Sequence, residues 1–136
     1  MSQFPMRFMM LMFPGGYEQA EPGTMPDPAQ VAKMMKFNEA LRQAGMLLAL
    51  DGLHPPSAGA RVSFRGGRPA VTRGPFPGAG ETVGGYGMIR APSLDAALAW
   101  AQRCPAGERE VIEIRKVHAF EEFPADVQAA VAKPGA

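Results

Sequence analysis

The chain has 136 residues, enough for one domain, and its 46% hydrophobic and 20% charged residues are ordinary for a protein that buries a core. A formal net charge of +1 without a dense basic run gives no reason to predict nucleic acid as a partner. No stretch approaches the ~20 apolar residues of a membrane span, so no membrane association is predicted. The single cysteine, Cys104, excludes an intramolecular disulfide framework and favours a reducing, cytoplasmic location.

The first predicted element is a strand from Arg7 to Phe13. Alternate residues of a strand point to opposite faces of the sheet. One face of this strand would carry Met6, Phe8, Met10 and Met12, and the other Met9, Leu11 and Phe13. Because both faces are apolar, the pattern predicts a central strand that is covered on both sides.

A helix is predicted from Asp27 to about Ala44. Asp27 can cap the free N–H groups, Pro28 suits the first helical position, and Gly45 can end the helix. The predicted buried stripe comprises Val31, Met34, Phe37, Leu41 and Ala44, with Asn38 beside it as either a core or a pocket residue. A short buried strand is predicted next, from Met46 to Leu50.

Two glycines at 66 and 67 lie between the alternating runs Arg61–Phe64 and Arg68–Thr72, which predicts a tight hairpin. Gly74-Pro75 would end its second strand, because proline has no N–H to donate. A further strand is predicted from Thr82 to Arg90. Its interior glycines, at 84, 85 and 87, are typical of a bulge or of a close approach by another backbone or a ligand.

A second helix is predicted to follow Ser93 as its cap and to end near Cys104, and a last strand is predicted from Glu110 to Val117. The tail would hold a short helix at Pro124 to Ala132. The resulting order is β-α-β, a hairpin, then β-α-β. This order predicts a ferredoxin-like α+β domain, an antiparallel sheet with two helices on one face.

The other face of this sheet is left without chain to cover it. A second copy that packs sheet to sheet would bury the apolar side chains of that face. The sequence therefore predicts a homodimer.

Several segments together resemble the YCII-related family, also called DGPF-domain proteins. The resemblance runs from Met6 to about Phe123, and its core and tail would be residues 6–118 and 119–136 of one domain over 1–136. The segments that carry it are Arg7-Phe8-Met9-Met10-Leu11, Asp51-Gly52-Leu53-His54-Pro55-Pro56, Thr72-Arg73-Gly74-Pro75-Phe76, Glu81 with Gly84-Gly85-Tyr86, and Ala99-Trp100-Ala101 with Cys104-Pro105.

The resemblance implies a dimeric α+β barrel with a cleft lined from the sheet side. Its members include proposed lyase or dehydrochlorinase-like enzymes that act on small ring compounds, and modules associated with extracytoplasmic-function sigma factors. The family's usual Asp before Gly-Pro-Phe is Arg73 here. A guanidinium cannot act as a base or accept a hydrogen bond from a histidine, but it can hold an anion in bidentate fashion.

Two functions are compatible with these residues. In a small-molecule enzyme, His54 would transfer a proton, Glu81 would orient or assist it, and Arg73 would bind a small anionic ligand. The apolar walls would come from Phe76, Tyr86 and Met88. The alternative is a non-catalytic, dimeric ligand-binding or regulatory module. No nucleotide loop, serine triad or Cys/His metal pattern is found, so neither a cofactor nor a metal is predicted.

Overall fold

A computed structural model describes residues 6–78 and 81–133. Its elements, in chain order, are β1 (Met6–Phe13), α1 (Pro28–Gln43), β2 (Leu47–Gly52), β3 (Ala60–Arg65), β4 (Arg68–Arg73), β5 (Gly85–Ala91), α2 (Leu94–Ala101), β6 (Val111–Lys116) and α3 (Ala125–Ala132). Short 3₁₀ turns lie at Tyr17–Gln19, Pro56–Ala58 and Phe120–Glu122. None of the helices in the described ranges combines the length and the apolar character needed to cross a membrane.

Four strands form one antiparallel sheet in the order β2-β5-β1-β6. Each half of the chain contributes two of these strands with one helix between them, which confirms the predicted ferredoxin-like α+β fold. Over the described residues the sheet keeps two edges, β2 and β6, and does not close into a barrel. A barrel would therefore need strands from a second copy.

The predicted central position of β1 is confirmed, since it pairs with β5 on one side and with β6 on the other. Phe8 and Met10 are 2% and 1% exposed because they pack in one cluster with α1 and α2. On the alternate side of β1, Arg7 is exposed, and Met9, Leu11 and Phe13 are only half-buried. We call this second side the open face; it carries Met9, Leu11 and Phe13 of β1 with Tyr86 and Met88 of β5.

The N-terminus of α1 forms as predicted. Asp27 Oδ2 accepts a hydrogen bond from Gln30 N at 3.2 Å, and a cap of this kind stabilises a helix by about 1 kcal/mol. Gly45 has a φ of 73°, the left-handed conformation that ends a helix most easily with glycine.

The predicted buried stripe of α1 is only half correct. Phe37 and Leu41 are buried in the core, whereas Val31 is 38% exposed and Ala44 is exposed. Both ends of α1 are thus more exposed than its middle, and a cavity lies along the helix.

The prediction of a buried strand at Met46 to Leu50 is wrong in its burial. The strand runs from Leu47 to Gly52, and every residue after Leu47 is exposed. The reason is its place in the sheet: β2 is an edge strand that pairs with β5 alone, and its register shifts between Leu47 and Ala49.

The predicted hairpin of β3 and β4 is confirmed, and it forms a separate two-stranded sheet. Gly66 and Gly67 have φ values of 61° and 76°, as a two-residue type I′ turn requires. All twelve strand residues are exposed, with Phe64 at 75%. A Cβ at Gly74 would lie 1.7 Å from the carbonyl oxygen of Pro56, so the base of the hairpin requires glycine.

The second βαβ half also follows the prediction. Ser93 Oγ accepts a hydrogen bond from Ala96 N at 3.1 Å, and Ala97 is fully buried against the sheet. Strand β5 begins at Gly85, three residues later than predicted at Thr82. The short helix predicted in the tail is present as α3.

Candidate functional site

A cavity of about 730 Å³ lies between α1 and the face of the sheet that the helices cover. We call it the α1 cavity. Most of its lining is apolar, and thioethers are prominent in it. Its apolar walls include Met10, Met12, Val31, Met34, Phe37, Leu41 and Ile89.

The floor of the α1 cavity is formed at Gly87, in the middle of β5. Gly87 is buried and pairs with Met10 of β1 and Leu50 of β2. A Cβ built on Gly87 would meet no heavy atom within 4 Å. Any larger residue would place its side chain inside the cavity, so this glycine leaves room beneath α1.

His54 stands at the edge of the α1 cavity, two residues after β2 ends. The backbone before it is fixed, because Leu53 N donates to Gly84 O at 2.9 Å and the Tyr17 hydroxyl donates to Leu53 O. Pro55, which follows it, is buried. The imidazole itself is exposed, so it can be reached from solvent and from the cavity.

The N-terminal end of α1 is tied to the segment before β6. Gln30 Nε2 donates to Pro105 O at 2.6 Å, and Cys104 Sγ lies 3.7 Å from Met34 Sδ. Burial, assisted by the negative charge of Glu110, raises the pKa of the Cys104 thiol above its ordinary value. Cys104 is therefore a neutral packing residue, because the thiolate is the reactive form.

A hydrogen-bonded pair of polar side chains lies on the open face. The Tyr86 hydroxyl donates to Asp51 Oδ2 at 2.6 Å, across the pairing of β5 with β2. The hydrogen bond to Asp51, with the charge of that carboxylate, raises the pKa of Tyr86 above its ordinary value. Both residues border the α1 cavity at the sheet edge, but the register places their side chains opposite to Gly85 and Gly87.

Residues 6–121 match the family model of the YCII-related domain. The chain belongs to the YCII-related family. No curated protein matches this chain significantly. In the described part of this YCII-related protein, no three His, Cys, Asp or Glu side chains are grouped so that they could hold a metal ion.

The structure of the YCII-related chain separates the predicted site residues. His54 borders the α1 cavity, and Tyr86 borders it at the sheet edge, but the side chains of Tyr86 and Met88 both lie on the open face. Phe76 lines a different cavity of about 490 Å³, and its ring centroid lies 4.0 Å from the Arg61 guanidinium carbon. Arg73, at the end of β4, and Glu81 are exposed and line neither cavity.

The sequence alone does not group three of the residues that line the α1 cavity. It predicts Gly87 at a bulge or at a close approach by another backbone or a ligand, Asp27 as a helix cap, and Glu110 as the start of a strand. The usable signal was Gly87 itself, a glycine inside a strand that would otherwise bury a side chain.

Proposed function

We propose that this YCII-related protein is a homodimeric small-molecule-binding protein whose ligand occupies the α1 cavity. The observation that carries the proposal is the empty space above Gly87, which lies in a buried strand where a side chain would normally complete the core.

The lining of the α1 cavity supports a ligand of mainly apolar character. Small-molecule sites are concave and mostly apolar, and a few polar groups fix the orientation of the ligand. Here Asn38 and His54 supply such groups, while Met10, Met12 and Met34 supply walls that adapt in shape.

The open face supports the dimer. Its apolar side chains are half-buried, and the core helices α1 and α2 both pack on the other side of the sheet. A second copy that packs against this face would remove them from water and would also bury the Tyr86–Asp51 pair.

The binding proposal is tested with a neutral probe, 4-phenylbutan-1-ol, in a thermal-shift titration of the full chain. A ligand that binds the native state raises the melting temperature as its concentration passes Kd. We expect the alcohol to stabilise the wild type and Gly59→Ala, but not Gly87→Leu, which fills the cavity. Gly59 does not line the cavity, and a Cβ there meets only Pro56 O at 3.6 Å.

Gly87→Ala, which adds one methyl group, is the second variant in case leucine prevents folding. We expect it to weaken binding less than leucine does. Equal stabilisation of the wild type and a folded Gly87→Leu would contradict the proposal, because the probe would then bind elsewhere.

A second candidate function is enzymatic, with His54 transferring a proton to or from the ligand. Its support is the exposed imidazole at the edge of the cavity. In a dehydrochlorinase-like elimination, His54 would take a proton from the carbon next to a C–Cl bond. The carbon–carbon double bond would form as chloride leaves.

Chloride release from small chlorinated ring compounds tests this second function. We expect His54→Ala to abolish turnover without loss of the fold. His118→Ala is the matched control, because His118 is the other histidine and lies 3.9 Å from Glu122, outside the cavity lining. Unchanged turnover in His54→Ala would exclude the proton-transfer role.

The anionic ligand predicted from Arg73 would need a site other than the α1 cavity, since Arg73 does not line that cavity. A regulatory module, including one associated with a sigma factor, would use the same ligand site and would differ from the enzyme in showing no turnover.

A further inference from the structure

The charges around the α1 cavity are unevenly distributed. Among its described lining residues there is no lysine and no arginine, although the protein has 14 of them. The lining does include the carboxylates of Asp27 and Glu110. Asp51 also borders the cavity, but its side chain lies on the open face with Tyr86.

Asp27 and Glu110 belong to the two segments that meet at the N-terminal end of α1. The hydrogen bond from Gln30 to Pro105 holds these segments together. Each carboxylate uses one oxygen for a local backbone bond: Asp27 Oδ2 accepts from Gln30 N, and Glu110 Oε1 accepts from Gly107 N at 2.9 Å. Asp27 Oδ1 and Glu110 Oε2 can therefore accept a further donor from a ligand.

An anion in this cavity would gain no lysine or arginine as a partner among the described lining residues, and at the exposed end of the cavity it would lie near two carboxylates of the same sign. Like charges nearby disfavour an anion, and in the apolar part of the cavity an unpaired charge would also lose water. An ammonium group would instead gain charge-assisted hydrogen bonds to carboxylate oxygens. Its apolar body would lie along the thioether and aromatic walls, above Gly87.

We propose that the α1 cavity selects an apolar amine, with the ammonium group at the Asp27 and Glu110 end and the hydrophobic body above Gly87. This inference rests on the proposed function, since it names the ligand class of the same cavity. The negative charge of Glu110 already acts at this end, where it assists burial in raising the pKa of Cys104.

The test compares three probes that share one apolar body: 4-phenylbutylamine, 4-phenylbutan-1-ol and 4-phenylbutyrate. Their affinities for the full chain are measured by isothermal titration calorimetry at neutral pH and low salt. We expect the amine to bind most tightly and the acid most weakly, with the amine favoured over the acid by roughly tenfold or more. Added salt should reduce this preference.

The matched variant is Asp27→Asn combined with Glu110→Gln. Asparagine is as good a helix cap as aspartate, and glutamine can still accept from Gly107 N, so the fold should survive. We expect the double variant to bind the amine no more tightly than it binds the alcohol.

Two results would overturn the inference while leaving the binding proposal in place. One is an acid that binds as tightly as the amine, and the other is an amine preference that persists in the double variant. Failure of all three probes to bind the wild type would instead overturn the proposed function, and the ligand class with it.

Discussion

The two faces of β1 are both largely apolar in sequence, with Arg7 on the open side as the one charged residue, and they are very different in structure. Phe8 and Met10 face α1 and α2 and are almost completely buried, whereas Met9 and Leu11 face the open side and are half-buried. The alternation of a strand decides which residues share a face, but the elements that pack on each face decide whether they are buried. The comparison shows that α1 and α2 cover one side of the sheet, whereas apolar side chains on the other side stay half-exposed.

The largest expected effect comes from truncating the covered face. We expect Phe8→Ala to lower the free energy of unfolding by about 3–5 kcal/mol, because it removes a buried aromatic ring and leaves a cavity. Leu11→Ala, on the open face, should cost less than half as much at protein concentrations where any dimer is dissociated. Urea unfolding of both variants measures the difference. Equal losses would show that the two faces are packed alike within one chain.

The next prediction concerns the partner of the open face. We expect Leu11→Glu to weaken homodimerisation by on the order of a hundredfold or more, since a charge would have to be buried between two sheets. Phe64→Glu is the control, because Phe64 is an exposed apolar residue on the separate hairpin. Sedimentation equilibrium measures both. A dimer that tolerates Leu11→Glu would exclude the open face as its interface.

A smaller expected effect compares the stability changes at two glycines, and it tests whether space remains on the covered side of the sheet. At Gly84, a Cβ would lie 2.5 Å from Pro14 Cγ, so we expect Gly84→Ala to destabilise the fold by about 1–3 kcal/mol through overpacking. Gly87→Ala places its methyl group in open space, and we expect a change of less than about 1 kcal/mol, toward stabilisation. Thermal unfolding of both variants makes the comparison. A strongly destabilised Gly87→Ala would show that the cavity floor is already filled.

The smallest effect is a titration on the open face. The pKa of Tyr86 is raised by its hydrogen bond to Asp51, so the neutral hydroxyl is favoured in the folded state. Its contribution to stability is complete below the ordinary tyrosine pKa of 10.0 and is lost as the pH rises through the higher folded value. Tyrosinate absorbance in a Tyr17→Phe background reports Tyr86 alone. We expect Asp51→Asn to lower the observed pKa, and an unchanged titration would contradict this coupling.

Much of the local structure could be predicted because its causes are local. The Asp27 cap, Pro28 and Gly45 fix the ends of α1, and Gly66 with Gly67 fixes the hairpin turn. The order of the elements then limits the fold to a ferredoxin-like arrangement, and the family motifs agree with it.

The burial of β2 and the grouping of the site residues could not be predicted in this way. Leu48 and Leu50 read as a buried strand, yet β2 lies at a sheet edge with a partner on one side only. Phe76 and Tyr86 are close in sequence, but the hairpin and the sheet carry them to different cavities. Two residues that are close along the chain do not have to share a pocket when one of them follows a separate hairpin and the other belongs to the sheet.

The sequence by itself determined the helix caps, the hairpin turn, the apolar alternation of β1 and the family, because each depends on residues that are near one another or on their order. Only the tertiary structure decided that α1 leaves a cavity above Gly87, that Arg73 and Glu81 lie outside it, and that Asp27 and Glu110 line it. The physical reason is that a cavity is the space left between elements. Its size and charge depend on how α1, the sheet and the segment before β6 pack, which no single stretch of sequence specifies.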